Sequence, residues 1–383
     1  MSTRRATGAV LFLALGASQA AVLSLTPVLS AVAADLDVST AAAGQLRTVS
    51  GLFAGVTAVC TGLMASRLGL RELLGAGLAV LALGSALSAA ATNFAFMAVA
   101  QTAIGIGVGL SYTAGLAAVA EWSTTVDRSR VLAVALLGPP TAWIVGMPVC
   151  GLVGEVHWRL VWIVLPLTSS ILALAFLARR PRTAPASVRV SLRAVVTYPG
   201  VLRWSSGELL AFSAWAGSLV FVGALFVESY GLSIAATGLL LGAGAVVYVP
   251  GNLLFRRLVD DHGHLLLIVL PLAAAITVAT LGAVRPSQWF SLGVFALLSF
   301  LAGGRTLAGS ARGLDLAPEL RLGITGVRTV ALQGGYFVGA AVGGVALAAG
   351  GYSALGLTLA ALFAGAAIPH LLPHRSQVRP VLP

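Results

Sequence analysis

Residues 179–203 read RRPRTAPASVRVSLRAVVTYPGVLR, with six arginines (Arg179, Arg180, Arg182, Arg189, Arg193 and Arg203), three prolines and no acidic residue. On either side the chain is almost continuously apolar. A polar, proline-broken stretch of this kind cannot carry a helix through an apolar medium, so it divides the 383 residues into an N-terminal part, 1–178, and a C-terminal part, 204–383.

The same reading extends outward. All 23 basic residues are arginine, and 18 of them fall in the termini and in every second gap between apolar runs. These are Arg4, Arg5, Arg67, Arg71, Arg128 and Arg130, the six above, Arg256, Arg257, Arg312, Arg321, Arg375 and Arg379. The alternate gaps receive only Arg47, Arg159 and Arg285, while Arg305 and Arg328 lie inside apolar runs. Short basic loops are retained on the cytoplasmic side of a membrane, so this alternation predicts a multi-pass protein with both termini and the 179–203 linker in the cytoplasm. A chain that is 58% hydrophobic and 9% charged also has too few polar side chains to clothe a water-soluble globule. The net charge of +11 is largely explained by this asymmetry, leaving no basic-aromatic patch for nucleic acid.

A spanning helix needs about 20 apolar residues. That length predicts twelve spans, at roughly 8–34, 45–65, 72–92, 94–120, 130–154, 159–178, 204–227, 233–255, 264–284, 288–311, 322–349 and 352–372. The expected architecture is therefore an all-α membrane protein with two six-helix bundles. The first span ends in Ala31-Val32-Ala33, like a signal cleavage site, but its apolar core is longer than a signal h-region and eleven spans follow, so a retained first helix is expected.

Corresponding places in the two parts carry Gly-x-x-x-x-Arg: Gly62 to Arg67 after the second span, continuing to Gly69 and Arg71, and Gly251 to Arg256 after the eighth. Such a correspondence is what duplication of a six-helix unit leaves behind. Here the chain resembles the major facilitator superfamily of secondary transporters, whose hallmark is a Gly-x-x-x-Asp-Arg-x-Gly loop between helices two and three. Gln101 with Gly105, Gly107 and Gly109 is similar to the family's fourth-helix motif, and Gly146, Pro148, Gly151 and Gly154 to the fifth-helix motif of its exporters. Trp158-Arg159 resembles the pair that opens the sixth helix, and Pro27 with residues 35–39 resembles the twelve-helix drug and sugar efflux group. The resemblance implies the major facilitator fold, alternating access, a small-molecule substrate and protons as coupling ion, with the protein working as a monomer without cofactor or metal. The chain departs from the family pattern where the loop acid is Ser66 or Phe255 and the fourth-helix arginine is Gln101. The charge latch implied for the family must then be replaced or weaker.

The glycines Gly105, Gly109, Gly146, Gly151, Gly339 and Gly343, with Pro148, give small faces on which helices pack closely in lipid, and those of the fifth and eleventh helices are expected to form the seam along which the halves slide. Buried ionisable groups are costly in hydrocarbon and mark function or charge pairing. Glu208, Arg305 and Arg328 each sit five to seven residues inside a cytoplasmic arginine, on the order of 8–10 Å deep, so Glu208 is expected to pair with one of the two arginines. Two arginines against one acid favour a cargo with an acidic or hydrogen-bond-accepting group, and Glu208, the one carboxylate well inside a span, is the candidate proton carrier. Gln19, Tyr112, Trp143, Trp215, Arg305, Gln333 and Tyr336 are the candidate cavity lining, suited to an amphipathic organic molecule. Glu121, Glu155 and Glu228 at helix ends read as solvated or capping carboxylates, and the histidines, including His370, in loops or tails read as solvated groups. There is no catalytic constellation, so an enzyme is not expected. Export by proton antiport is the leading reading. Uptake of a sugar, amino acid or organic anion, and a non-transporting membrane sensor, are the alternatives.

Overall fold

The computed structural model describes residues 3–64, 67–123, 127–179, 192–316 and 320–371. It is all-helical among these residues. In order the elements are α1 (Thr3–Leu23), α2 (Leu25–Asp35), α3 (Thr40–Met64), α4 (Leu70–Ala89), α5 (Phe94–Glu121), α6 (Arg128–Leu136), α7 (Gly138–Thr141), α8 (Met147–Val156), α9 (Leu160–Trp162), α10 (Thr168–Ala178), α11 (Leu192–Val196), α12 (Val201–Tyr230), α13 (Ile234–Val246), α14 (Tyr248–Ala283), α15 (Gln288–Leu316) and α16 (Arg321–Leu371).

Local chemistry explains the breaks. Pro27 offers no N–H to the carbonyl of Leu23, and the first span accordingly breaks between α1 and α2 at Ser24. Prolines also accompany two π-helical insertions, at Ala142–Gly146 between Pro140 and Pro148 and at Ile163–Leu167 around Pro166. Among the described residues nine helical stretches are long and apolar enough to cross a bilayer, and two of them run 50 and 49 residues. At 1.5 Å per residue each of these is roughly 75 Å long, about twice what one crossing needs. Each is interrupted, one at His262 (φ −127°) and the other at Gly350–Gly351. Gly351 has φ +63°, a conformation a side chain resists, so glycine allows the tight reversal between the last two passes. With α3, which carries Arg47 in its second turn, twelve passes result.

One expected boundary changes. The eighth span is expected to end at 255, with Gly251 and Arg256 in a following loop, but α14 continues through both and turns only at His262. Gly251 is buried there, where a Cβ would meet Phe300 Cα at 3.0 Å, and Arg256 is exposed on the helix. The first-half counterpart does contain a turn: Gly69 is the extended N-cap of α4, and Arg71 donates to the Ala178 carbonyl at 3.4 Å. Gly62 is in the last turn of α3, Arg67 N donates to the Met64 carbonyl at 2.8 Å in the turn that follows, and Ser66 lies outside the described residues.

Helix packing separates two ends of the bundle, one rich in arginine (Arg71, Arg203, Arg312) and one poor in it. The first six spans meet the last six through α2 and α3 on α12, α8 on α13, and α3 on α16. Glycines along α3 record how tight that contact is. A Cβ at Gly44 would lie 2.5 Å from Phe221 Cζ, one at Gly51 would lie 2.6 Å from Phe337 N, one at Gly55 finds nothing nearer than 3.9 Å, and one at Gly62 finds nothing within 4 Å. The chain is thus closed at the arginine-poor end and parted toward the arginine-rich end.

This geometry corrects the seam. Gly151 and Pro148 do lie on it: a Cβ at Gly151 would be 2.7 Å from Gly238 Cα, and one at Gly242 would be 2.6 Å from Pro148 Cδ. Gly105 and Gly109 pack α5 closely on Phe53 and Thr57 of α3, inside the first half. Gly339 packs on Gly217, and Gly343 on Phe221 and Leu355, inside the second half, and Gly146 faces Leu165 within the first. Spacing identifies small faces, whereas which helix each face meets is set by tertiary packing.

Candidate functional site

Glu208, on the second turn of α12, is fully buried. Its Oε1 accepts from Arg305 Nη1 of α15, and its Oε2 accepts from Arg328 Nε of α16 at 3.1 Å. Arg305 Nη2 donates to the Gly207 carbonyl at 3.0 Å, and Arg328 Nη2 donates to the Thr306 carbonyl at 3.1 Å. The Arg328 guanidinium also lies 5.3 Å over the Phe212 ring. Three helices thus deliver one carboxylate and two guanidinium groups to one point, and the common depth reckoned from the chain brings both arginines, not one, to Glu208. Gly309 makes the room, since a Cβ there would stand 2.8 Å from Glu208 Cδ. Gly309→Ala is expected to cost about 1–3 kcal/mol by overpacking, checked by thermal unfolding of the purified protein.

A pocket inside the last six spans is lined by Phe212, Trp215, Arg305, Thr306 and Phe363, next to this network. Trp215 continues into an aromatic group that crosses between the halves: Trp143 of the π-helical insertion is 5.9 Å from Trp215 and 5.0 Å, edge-on, from Tyr248. The indole N–H groups of Trp143 and Trp215 are buried without a hydrogen-bond partner. Tyr112 is half-buried on α5. Gln19 Nε2 of α1 donates to Tyr336 Oη of α16 at 3.1 Å, another link across the halves, and Gln333 is buried one turn before Tyr336 with its Oε1 unpartnered.

Arg47 and His370 behave differently from expectation, and two helix-end carboxylates do more than cap. Arg47, assigned to an outer gap, is buried inside α3 with its guanidinium 4.9 Å over the Tyr336 ring. A lone arginine near the start of a span reads as a loop residue by charge counting, and its inward direction comes from the rotation of α3. His370, expected to be solvated, is buried in the last turn of α16 beside Gly207, where a Cβ would meet its Nε2 at 2.8 Å. Glu155 and Glu228 are exposed but not merely solvated. Glu228 accepts from Thr40 Oγ1 at 2.5 Å, Ser30 Oγ at 3.3 Å and Tyr352 Oη at 2.8 Å, and Glu155 accepts from Ala235 N at 2.9 Å. Each carboxylate therefore bridges the halves at the arginine-poor end. Tyr248 is absent from the expected lining, because a single tyrosine in a span carries no periodic signal.

The other motif residues are structural. Arg159 stacks 4.3 Å over Trp158, pairs with Asp35 at 2.8 Å and donates to the Ala91 carbonyl at 2.8 Å, tying three connections of the first half together. Gln101 is buried and donates to Ser88 Oγ at 3.3 Å. Among the described residues no cluster of histidine, cysteine or carboxylate side chains could hold a metal.

Solved structures share this architecture. A bacterial homolog of the human lysosomal transporter Spinster, in an inward-facing and occupied conformation, superposes with a TM-score of 0.79 at 14% identity, over 97% of this chain and 96% of that one. A D-xylose-proton symporter gives 0.73 at 16% identity over 95% and 96%, and a singly substituted form of the nucleoside transporter NupG gives 0.75 at 13% over 96% and 97%. At such identities the likeness is one of fold. No curated protein sequence matches the chain. The profile of the Major Facilitator Superfamily matches residues 11–304, well over half of the chain, and does so across the spans that carry Glu208, the two Gly-x-x-x-x-Arg segments and the contact between Gly151 and Gly238. With twelve passes, and halves in contact at one end and parted at the other, the chain belongs to the Major Facilitator Superfamily of membrane transporters.

Proposed function

We propose that the protein is a secondary transporter that exports a small organic molecule across the bacterial plasma membrane by proton antiport, its two six-helix halves, 1–178 and 204–383, rocking about the cavity between them. The observation that carries this reading is Glu208, fully buried between Arg305 and Arg328, the one titratable carboxylate buried among the described residues. A proton-driven carrier needs a group that gains and loses a proton as access alternates, and arginine does not release its proton at accessible pH. Gln19, Tyr112, Trp143, Trp215, Gln333 and Tyr336 bind the cargo in this reading. The free indole N–H groups suit a partly apolar molecule with hydrogen-bond acceptors.

Arginine asymmetry supports a cytoplasmic arginine-rich end. The conformation described is then inward-facing, with Glu155 and Glu228 among the outer contacts that hold it. Reporter fusions within the 179–203 linker are expected to be active only as cytoplasmic reporters, and an extracellular signal there overturns the topology. Uptake is the second reading, because the same fold serves a D-xylose-proton symporter. A ligand screen by thermal shift identifies a cargo. Everted vesicles are then expected to accumulate it when a proton gradient is imposed and right-side-out vesicles are not. The opposite pattern establishes uptake.

A further inference from the structure

Arg47 is a charge that the protein buries without answering. Its side chain is 2% exposed, and its polar contacts are a 2.9 Å hydrogen bond from Nη1 to Ser50 Oγ and the stacking on Tyr336, while Nε is buried with no partner. Among the described residues no carboxylate pairs with it. Arg305 and Arg328 are opposite cases: both bind Glu208, and each spends a further N–H on a backbone carbonyl. The surroundings of Arg47 are those of a recognition site. Tyr336 is held by Gln19, and Gln333 one turn away has a buried oxygen without a donor. These groups come from α1, α3 and α16, on both sides of the contact between the halves.

We propose that the transported molecule carries an anionic group, a carboxylate, sulfonate or phosphate, and that Arg47 is the residue that pairs with it. Gln19, Gln333 and Tyr336 hydrogen-bond the remainder of the molecule. The proposal rests on the transport reading and gives it a substrate class. An unpaired guanidinium is costly to take out of water, and the cost falls when an anion accompanies it. Closure over Arg47 is therefore unfavourable for the empty carrier and favourable for the loaded one, which ties the conformational cycle to cargo. A planar guanidinium stacked on an aromatic ring is also pre-oriented for a two-point contact with a carboxylate or phosphate.

The test uses the full chain in lipid nanodiscs with matched probes: benzoate and benzenesulfonate, against benzamide and benzenesulfonamide. Calorimetry is expected to show at least one acid binding about tenfold or more tightly than its amide. Arg47→Gln is expected to erase that preference, and Arg47→Lys to keep part of it. Equal binding of acid and amide, a preference that survives Arg47→Gln, or no binding of either acid overturns the proposal, and the acid-against-amide comparison needs no variant to fold. Counterflow of labelled benzoate in proteoliposomes separates the two readings. Arg47-dependent binding without translocation upholds the anion site and overturns transport. Arg47-independent carriage of a neutral molecule does the reverse.

Discussion

Glu208→Gln, reconstituted in proteoliposomes, is expected to exchange substrate down its gradient while losing pH-driven uphill transport by about tenfold or more. Glutamine keeps the shape of the side chain and one acceptor oxygen, enough for one of the two arginines that bind Glu208, but it carries no charge and cannot take up or release a proton. Exchange needs only alternation of the halves with cargo bound, whereas uphill movement needs the proton to travel in exchange. Full pH-driven transport by Glu208→Gln would place the proton elsewhere. Glu208→Ala is a different experiment. It removes the remaining acceptor and the side-chain volume together with the counter-ion of the two guanidinium groups, and removal of one partner of a buried pair costs about 3–5 kcal/mol. The alanine variant is expected to lose thermal stability sharply, measured by unfolding in detergent, and the double substitution Glu208→Ala with Arg305→Met is expected to recover part of it.

Gly151→Leu is expected to abolish transport in a protein that still folds. Gly151 on α8 meets α13 backbone to backbone, so a Cβ there would lie 2.7 Å from Gly238 Cα and 2.8 Å from Ile234 O. Neither atom belongs to a side chain that can turn aside. Overpacking of a tight contact costs about 1–3 kcal/mol. Because this contact joins the halves, the strain is relieved by parting them, and the closed arginine-poor end becomes the disfavoured state. A shift of that size changes a two-state population by roughly 5–150-fold. Spin labels at Val156 and Val284, on opposite halves at that end and both well exposed, are expected to show a longer distance in Gly151→Leu than in the unsubstituted protein. An unchanged distance with intact transport would remove Gly151 from the moving contact. Gly105→Leu is the control. Its strain falls between α5 and α3 inside the first half, so it is expected to lower stability without changing the inter-half distance.

Much of this protein is written in one dimension. The arginines between apolar runs and the length of those runs determine twelve passes, because the bilayer imposes one solvent and one thickness on every span. Depth is legible for the same reason: Glu208, Arg305 and Arg328 share a level because each is counted from the same interface at a fixed rise per residue. Helical interruptions at Ser24 and Gly351 also follow locally, from a proline without a donor and a glycine that accepts positive φ. Rotation about each helix axis is not local, and it decided the rest. It turned Arg47 inward onto Tyr336 and His370 into the bundle, and it set Gly151 against the other half but Gly105 against its own. In a soluble helix the polar stripe fixes that rotation. Here lipid outside and protein inside are equally apolar, so the faces of a span look alike in sequence, and only the packing of its neighbours determines which face meets the cavity, the seam or the membrane.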